Sequence, residues 1–90
     1  MTFTVIWKHS TVDRLTAYYV SALESGEDSS AITASVAQID ALLAANPLEQ
    51  GESRQKQERI LIVPPLVVDF EVFDQEKVVL VFGIRYFFRK

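Results

Sequence analysis

Ninety residues, with 49% hydrophobic and 23% charged side chains, fit one globular core and exclude both a disordered chain and a division into two domains. A net charge of -3 and a sequence isoelectric point near 5.0 argue against binding nucleic acid through bulk charge. With no cysteine in the chain, disulfides and thiolate metal sites are excluded, packing must supply the stability, and a reducing, cytoplasmic compartment is the expectation.

The first residues enter strand-like alternation directly, so no signal peptide is expected, and no apolar run approaches the roughly 20 residues of a membrane-spanning helix. Phe3, Val5 and Trp7 alternate with Thr2, Thr4 and Lys8, which is the pattern of a strand with one face on a core. Ser10-Thr11-Val12-Asp13 reads as a capping box opening a helix, with Val12, Leu15, Tyr19 and Leu23 as its apolar stripe and Gly26 as its left-handed stop. Ser29 and Ser30 then offer caps for a second helix. Its stripe is Ile32, Val36, Ile39 and Leu43, and Asn46-Pro47 ends it because a residue before proline is pushed out of the α region. The two helices should form an antiparallel hairpin.

Residues 48 to 57 carry almost no apolar side chains and are expected to cross the surface as a loop. Beyond them the period is that of strands: Ile60 to Val63, closed by Pro64-Pro65; then Val68, Phe70 and Val72 alternating with Val67, Asp69 and Glu71; then a turn at Asp74-Gln75-Glu76 and a strand from Val78 to Phe82. That last strand is apolar on both faces, as suits a central strand or one covered by a partner. The predicted class is α+β in the order β-α-α-β-β-β, a single domain over residues 1–90. An antiparallel three-stranded meander joins the N-terminal strand, and the helical hairpin packs on one face.

Charge is divided unevenly. Only Lys8 and Arg14 among the nine bases precede residue 54, against seven acids, whereas seven bases and five acids follow. An anion-binding surface is therefore expected on the sheet half.

This order of elements, with the run Val68-Asp69-Phe70-Glu71-Val72-Phe73-Asp74-Gln75-Glu76-Lys77-Val78-Val79-Leu80-Val81-Phe82-Gly83-Ile84-Arg85 giving strand, acidic turn, strand and basic end, resembles the RelE/ParE superfamily of bacterial type II toxin-antitoxin modules. The resemblance spans nearly the whole chain. It implies a toxin-like, plasmid-stabilisation type protein with a cognate antitoxin as partner and the ribosome with its messenger RNA, or DNA gyrase, as target. Messenger-RNA-cleaving members use sheet cations to hold the phosphate and, in some, a C-terminal aromatic. By position this points to Arg85, Arg59 and Tyr86 as catalytic candidates. Where many active members open the third strand with an aromatic-arginine pair, this chain has Pro65-Leu66-Val67, which removes a phosphate-binding cation and favours a catalytically degenerate member. The alternative is a non-catalytic interaction module or homodimer, joined through an exposed strand or the apolar C-terminal strand.

Arg85 to Lys90 interleaves cations and aromatics, a composition suited to single-stranded nucleic acid or to a partner groove, or else to a last strand whose rings complete the core. Arg54, Lys56 and Arg89 are candidate binding residues of the same patch, or solvated side chains. Asp69 and Glu71 share one strand face and are expected to be exposed, with Arg59 or Arg85 as a cross-strand partner, rather than to form an acid-base pair. His9 is the sole histidine and is expected at the surface. Nothing in the pattern calls for a metal or another cofactor, since the three glycines are isolated and no histidine pair exists.

Overall fold

In the computed structural model, residues 2–53 and 58–86 are described. The chain runs β1 (Thr4–Trp7), α1 (His9–Ser25), α2 (Ser29–Ala45), a short 3-10 turn (Pro47–Glu49), β2 (Glu52–Ser53), β3 (Glu58–Val63), β4 (Leu66–Phe73) and β5 (Val78–Tyr86). The strands form one sheet in the order β1-β5-β4-β3-β2. β3, β4 and β5 are the expected antiparallel meander, while β1 joins it parallel to β5, pairing Thr4 with Val78 and Trp7 with Val81. β5 is thus an interior strand, one of the two alternatives its apolar faces allowed, and over Val78–Val81 β1 closes it to edge-on pairing with a second copy.

Both helices lie on one face of the sheet. Leu66, Val68, Phe70 and Val72 of β4 alternate onto that face and are almost wholly buried, together with Val79, Val81 and Ile84 of β5. From above, α2 contributes Ile32, Ile39 and Leu43, each with no more than 1% of its surface exposed. Burying a side chain of this size stabilises the fold by about 1.5–3 kcal/mol. Ser35, on the same stripe, donates to the Val63 carbonyl at 2.6 Å. This carbonyl ends β3 just before Pro64-Pro65, and the buried hydroxyl pins α2 to that strand end.

Four local expectations are corrected. α1 starts one residue before the proposed capping box: Lys8 is the N-cap, with no side-chain cap bond, and its carbonyl receives the amides of Thr11 and Val12. The Lys8 amide is still bonded to Val81 at 2.9 Å, so the chain turns from strand into helix at that residue. The packed stripe of α1 is also rotated: Thr11 and Ala22 are buried and Leu15 and Tyr18 half-buried, while Val12, Tyr19 and Leu23 are 40%, 39% and 55% exposed. Apolar side chains occupy two adjacent stripes of α1, and the small Thr11 and Ala22 permit the close approach to β5 that selects between them. Third, α2 is capped by Asp28, whose carboxylate accepts from the Ser30 amide and hydroxyl, rather than by a serine. Fourth, the segment after Pro47 is not all loop: Glu52 and Ser53 pair with Ile60 and Arg59 as a short edge strand. Gly26 ends α1 at φ 76° as expected, and Ala45 is the last residue of α2 before Asn46-Pro47.

Candidate functional site

The three catalytic candidates do not converge. Residues paired across antiparallel strands share a face, so Arg59, opposite the buried Phe70, is on the helix side, whereas Arg85, opposite Val67, is on the open side. Arg59 is half-buried and donates Nε to the Gln50 carbonyl at 2.8 Å and Nη2 to the Gly51 carbonyl at 3.4 Å, fastening the turn after α2 to β3. Arg85 reaches across to Asp69, with Nη2 3.3 Å from Oδ1. That is one of the two expected partners. The pair spans an exposed face, where such a bridge contributes at most about 1 kcal/mol.

Tyr86 returns to the helix side. Its ring stacks on Tyr18 at 5.5 Å between centroids, and its hydroxyl donates to Glu27 Oε1 at 3.0 Å. Burial, and then the neighbouring Glu27 carboxylate, push the Tyr86 hydroxyl above the ordinary tyrosine pKa, which favours the neutral phenol. Arg59 and Tyr86 share a face but are four residues apart along β4 and two strand spacings across it, or roughly 16 Å. Arg54, Lys56 and Arg89 lie outside the described residues. Leu66 and Val67, at the opening of β4, are 0% and 4% exposed, so packing occupies the position where a phosphate-binding cation was sought.

The larger surface feature is on the helices. Leu15, Tyr19, Ile32, Val36 and Ala37 line a mainly apolar groove of about 460 Å³ between α1 and α2, and Asp40 is part of its lining. Asp40 Oδ1 accepts from the Trp7 indole at 2.7 Å, which orients the carboxylate and ties the groove to β1. Exposed Val12, Val20 and Leu23 continue apolar surface along α1. The groove was not legible from the sequence because choosing between the two stripes of α1 needs the packing partner. Asp40 could have been marked as the one acid inside the apolar stretch from Ala31 to Ala45. Among the described residues no cluster of three metal-ligating side chains exists, and no helix is long and apolar enough to cross a membrane.

No protein-family model and no curated protein matches the chain. Among solved structures, a chain of the chromosomal ParDE TA system from P. aeruginosa superposes with a TM-score of 0.73, covering 96% of this chain and 97% of that one at 19% sequence identity. The fold is therefore RelE/ParE-like, as the order of strands and helices implied. At this identity what the two chains share is the backbone architecture, and side-chain chemistry has to be argued from the residues of this chain.

Proposed function

We propose that the chain is the toxin-like component of a bacterial type II toxin-antitoxin pair of the plasmid-stabilisation type, and that it acts in the cytoplasm through protein contacts rather than by cutting RNA. The observation carrying this reading is the apolar groove between α1 and α2, lined in part by exposed Tyr19, on a fold shared with a ParDE TA system. An amphipathic segment of an antitoxin would bury its apolar side there. Asp40 in the groove's lining, on an acidic helical half, favours a segment carrying lysine or arginine on its flanks.

Against RNA cleavage stands the division of Arg59, Arg85 and Tyr86 between two faces and their engagement by Gln50, Asp69 and Glu27. A catalytic centre for phosphate cleavage needs its cations around one reacting phosphate. A protein target such as DNA gyrase fits this surface better than messenger RNA on the ribosome.

The test is tightly induced expression in bacteria, alone and together with any short reading frame adjacent to its gene. Growth arrest relieved by co-expression, and kept by an Arg85→Ala variant, supports a toxin acting by protein contact. Arrest lost in Arg85→Ala at equal protein level would return the sheet's basic end to the mechanism. No arrest from folded protein would favour the second reading, a non-catalytic interaction module, for which the structural engagement of all three candidate residues already speaks.

A further inference from the structure

A different site is formed where α1 begins. β1 ends its pairing at Trp7 opposite Val81, while β5 continues to Tyr86, so the edge of β5 beyond Val81 has no strand neighbour among the described residues. The first turns of α1 lie beside that edge. Ser10, Thr11 and Arg14 from the helix and Phe82, Gly83 and Ile84 from the strand enclose a small, mainly polar cavity of about 120 Å³. The cavity is bracketed by two bonds to β5, from the Lys8 amide to Val81 and from the Tyr18 hydroxyl to the Ile84 carbonyl.

Several features of this cavity call for a negatively charged ligand. The helix start carries no side-chain cap and no acid in its first turn, so its first amides have no capping side chain, and the Asp13 carboxylate lies 3.8 Å from the His9 ring. Thr11 lines the cavity at 2% exposure, and its Oγ1 is buried with no hydrogen-bond partner among the described residues. A buried hydroxyl without a partner is uncommon and costly. Arg14 is part of the wall, and with Lys8 at the cap it completes the pair of bases that precede residue 54. The volume exceeds what a single water fills, about 30 Å³, and is too small for a nucleoside.

We propose that this cavity is a binding site for a phosphate group. The helix end, the unpartnered Thr11 hydroxyl and the Arg14 side chain together offer donors to an oxyanion. The site stands apart from the groove and from the toxin reading. Half of its lining, Phe82, Gly83 and Ile84, comes from the sheet half, where charge alone placed an anion.

The experiment is a two-dimensional amide NMR titration of the whole chain at constant ionic strength, with inorganic phosphate, uridine monophosphate and acetate as separate probes. Saturable shifts at Ser10, Thr11, Gly83 and Ile84 with inorganic phosphate are expected, weakened about tenfold in Arg14→Gln. Thr11→Val should weaken binding further if it folds, but the exposed Arg14→Gln carries the test by itself. Shifts with uridine monophosphate as well would identify a phosphomonoester with its substituent outside the cavity; inorganic phosphate alone would identify the free ion. Shifts that do not saturate, that persist unchanged in Arg14→Gln, or that acetate reproduces at equal concentration would overturn the assignment.

Discussion

Arg59 and Arg85 occupy opposite faces of one sheet, Arg59 bonded to the backbone of Gln50 on the helix side and Arg85 to the carboxylate of Asp69 on the open side. Their different partners predict different roles in stability. Arg59→Ala should cost about 1–2 kcal/mol by removing charged donors from two carbonyls of the turn. Arg85→Ala should stay within about 0.5 kcal/mol of the wild type, because its bridge is exposed. Urea denaturation of the two variants checks this, and equal losses would contradict the division of faces.

Two glycines are held by what lies beside them. A Cβ on Gly83 would stand 2.6 Å from Asp69 Oδ2, the movable end of a side chain, whereas one on Gly51 would stand 1.9 Å from the Ile60 carbonyl oxygen, in a backbone that already has φ at 67°. Gly83→Ala is expected to cost about 1–2 kcal/mol and to displace Asp69 from Arg85. Gly51→Ala should cost about 3 kcal/mol or more. Removing the carboxylate as well, in Gly83→Ala with Asp69→Ala, should recover part of the first loss and leave a non-additive cycle.

Two leucines of like chemistry differ in burial, Leu43 at 0% and Leu23 at 55% exposed. Leu43→Ala should lose about 2–5 kcal/mol. Leu23→Ala should change stability by less than about 0.5 kcal/mol. Comparable losses at both positions would mean that α1 packs on the stripe of Val12, Tyr19 and Leu23 after all.

The burial of Tyr86, with its bond to Glu27, predicts an alkaline limit to stability. Tyr86 has its pKa raised in the folded chain, so the folded state holds the phenolic proton more tightly than the unfolded one. Its contribution is therefore complete below the unfolded value of about 10 and is lost as pH rises through the higher folded value. Difference absorbance between wild type and Tyr86→Phe should show one phenol ionising above the ordinary range, and the stability gap between the two proteins should narrow in that interval.

Much of this architecture was legible because period-two and helical patterns alternate cleanly. Val68, Phe70 and Val72 declare a half-buried strand, and the doubly apolar β5 allows the interior position it takes. What local patterns left open was set by partners distant in the chain. The register of α1 depends on β5, since Val12 and Thr11 are equally plausible as its first inward residue until a strand lies beneath it. The role of Arg59 depends on carbonyls of the turn at Gln50, and the pairing of Glu52 and Ser53 depends on β3 rather than on their own weak strand propensity. The site candidates failed to assemble for the same reason: strand alternation assigns a face only once the pairing is known, and Arg85 and Tyr86, being neighbours, had to part.

The parallel pairing of β1 with β5 also fixes an order of events during synthesis. Thr4 finds its strand partner in Val78, 74 residues later. Until β5 emerges from the ribosome, β1 has no neighbour, Lys8 has no Val81 carbonyl to turn against, and the helical hairpin has half a floor. The chain is therefore committed to its native sheet late, and its apolar strands wait exposed for the one that unites them.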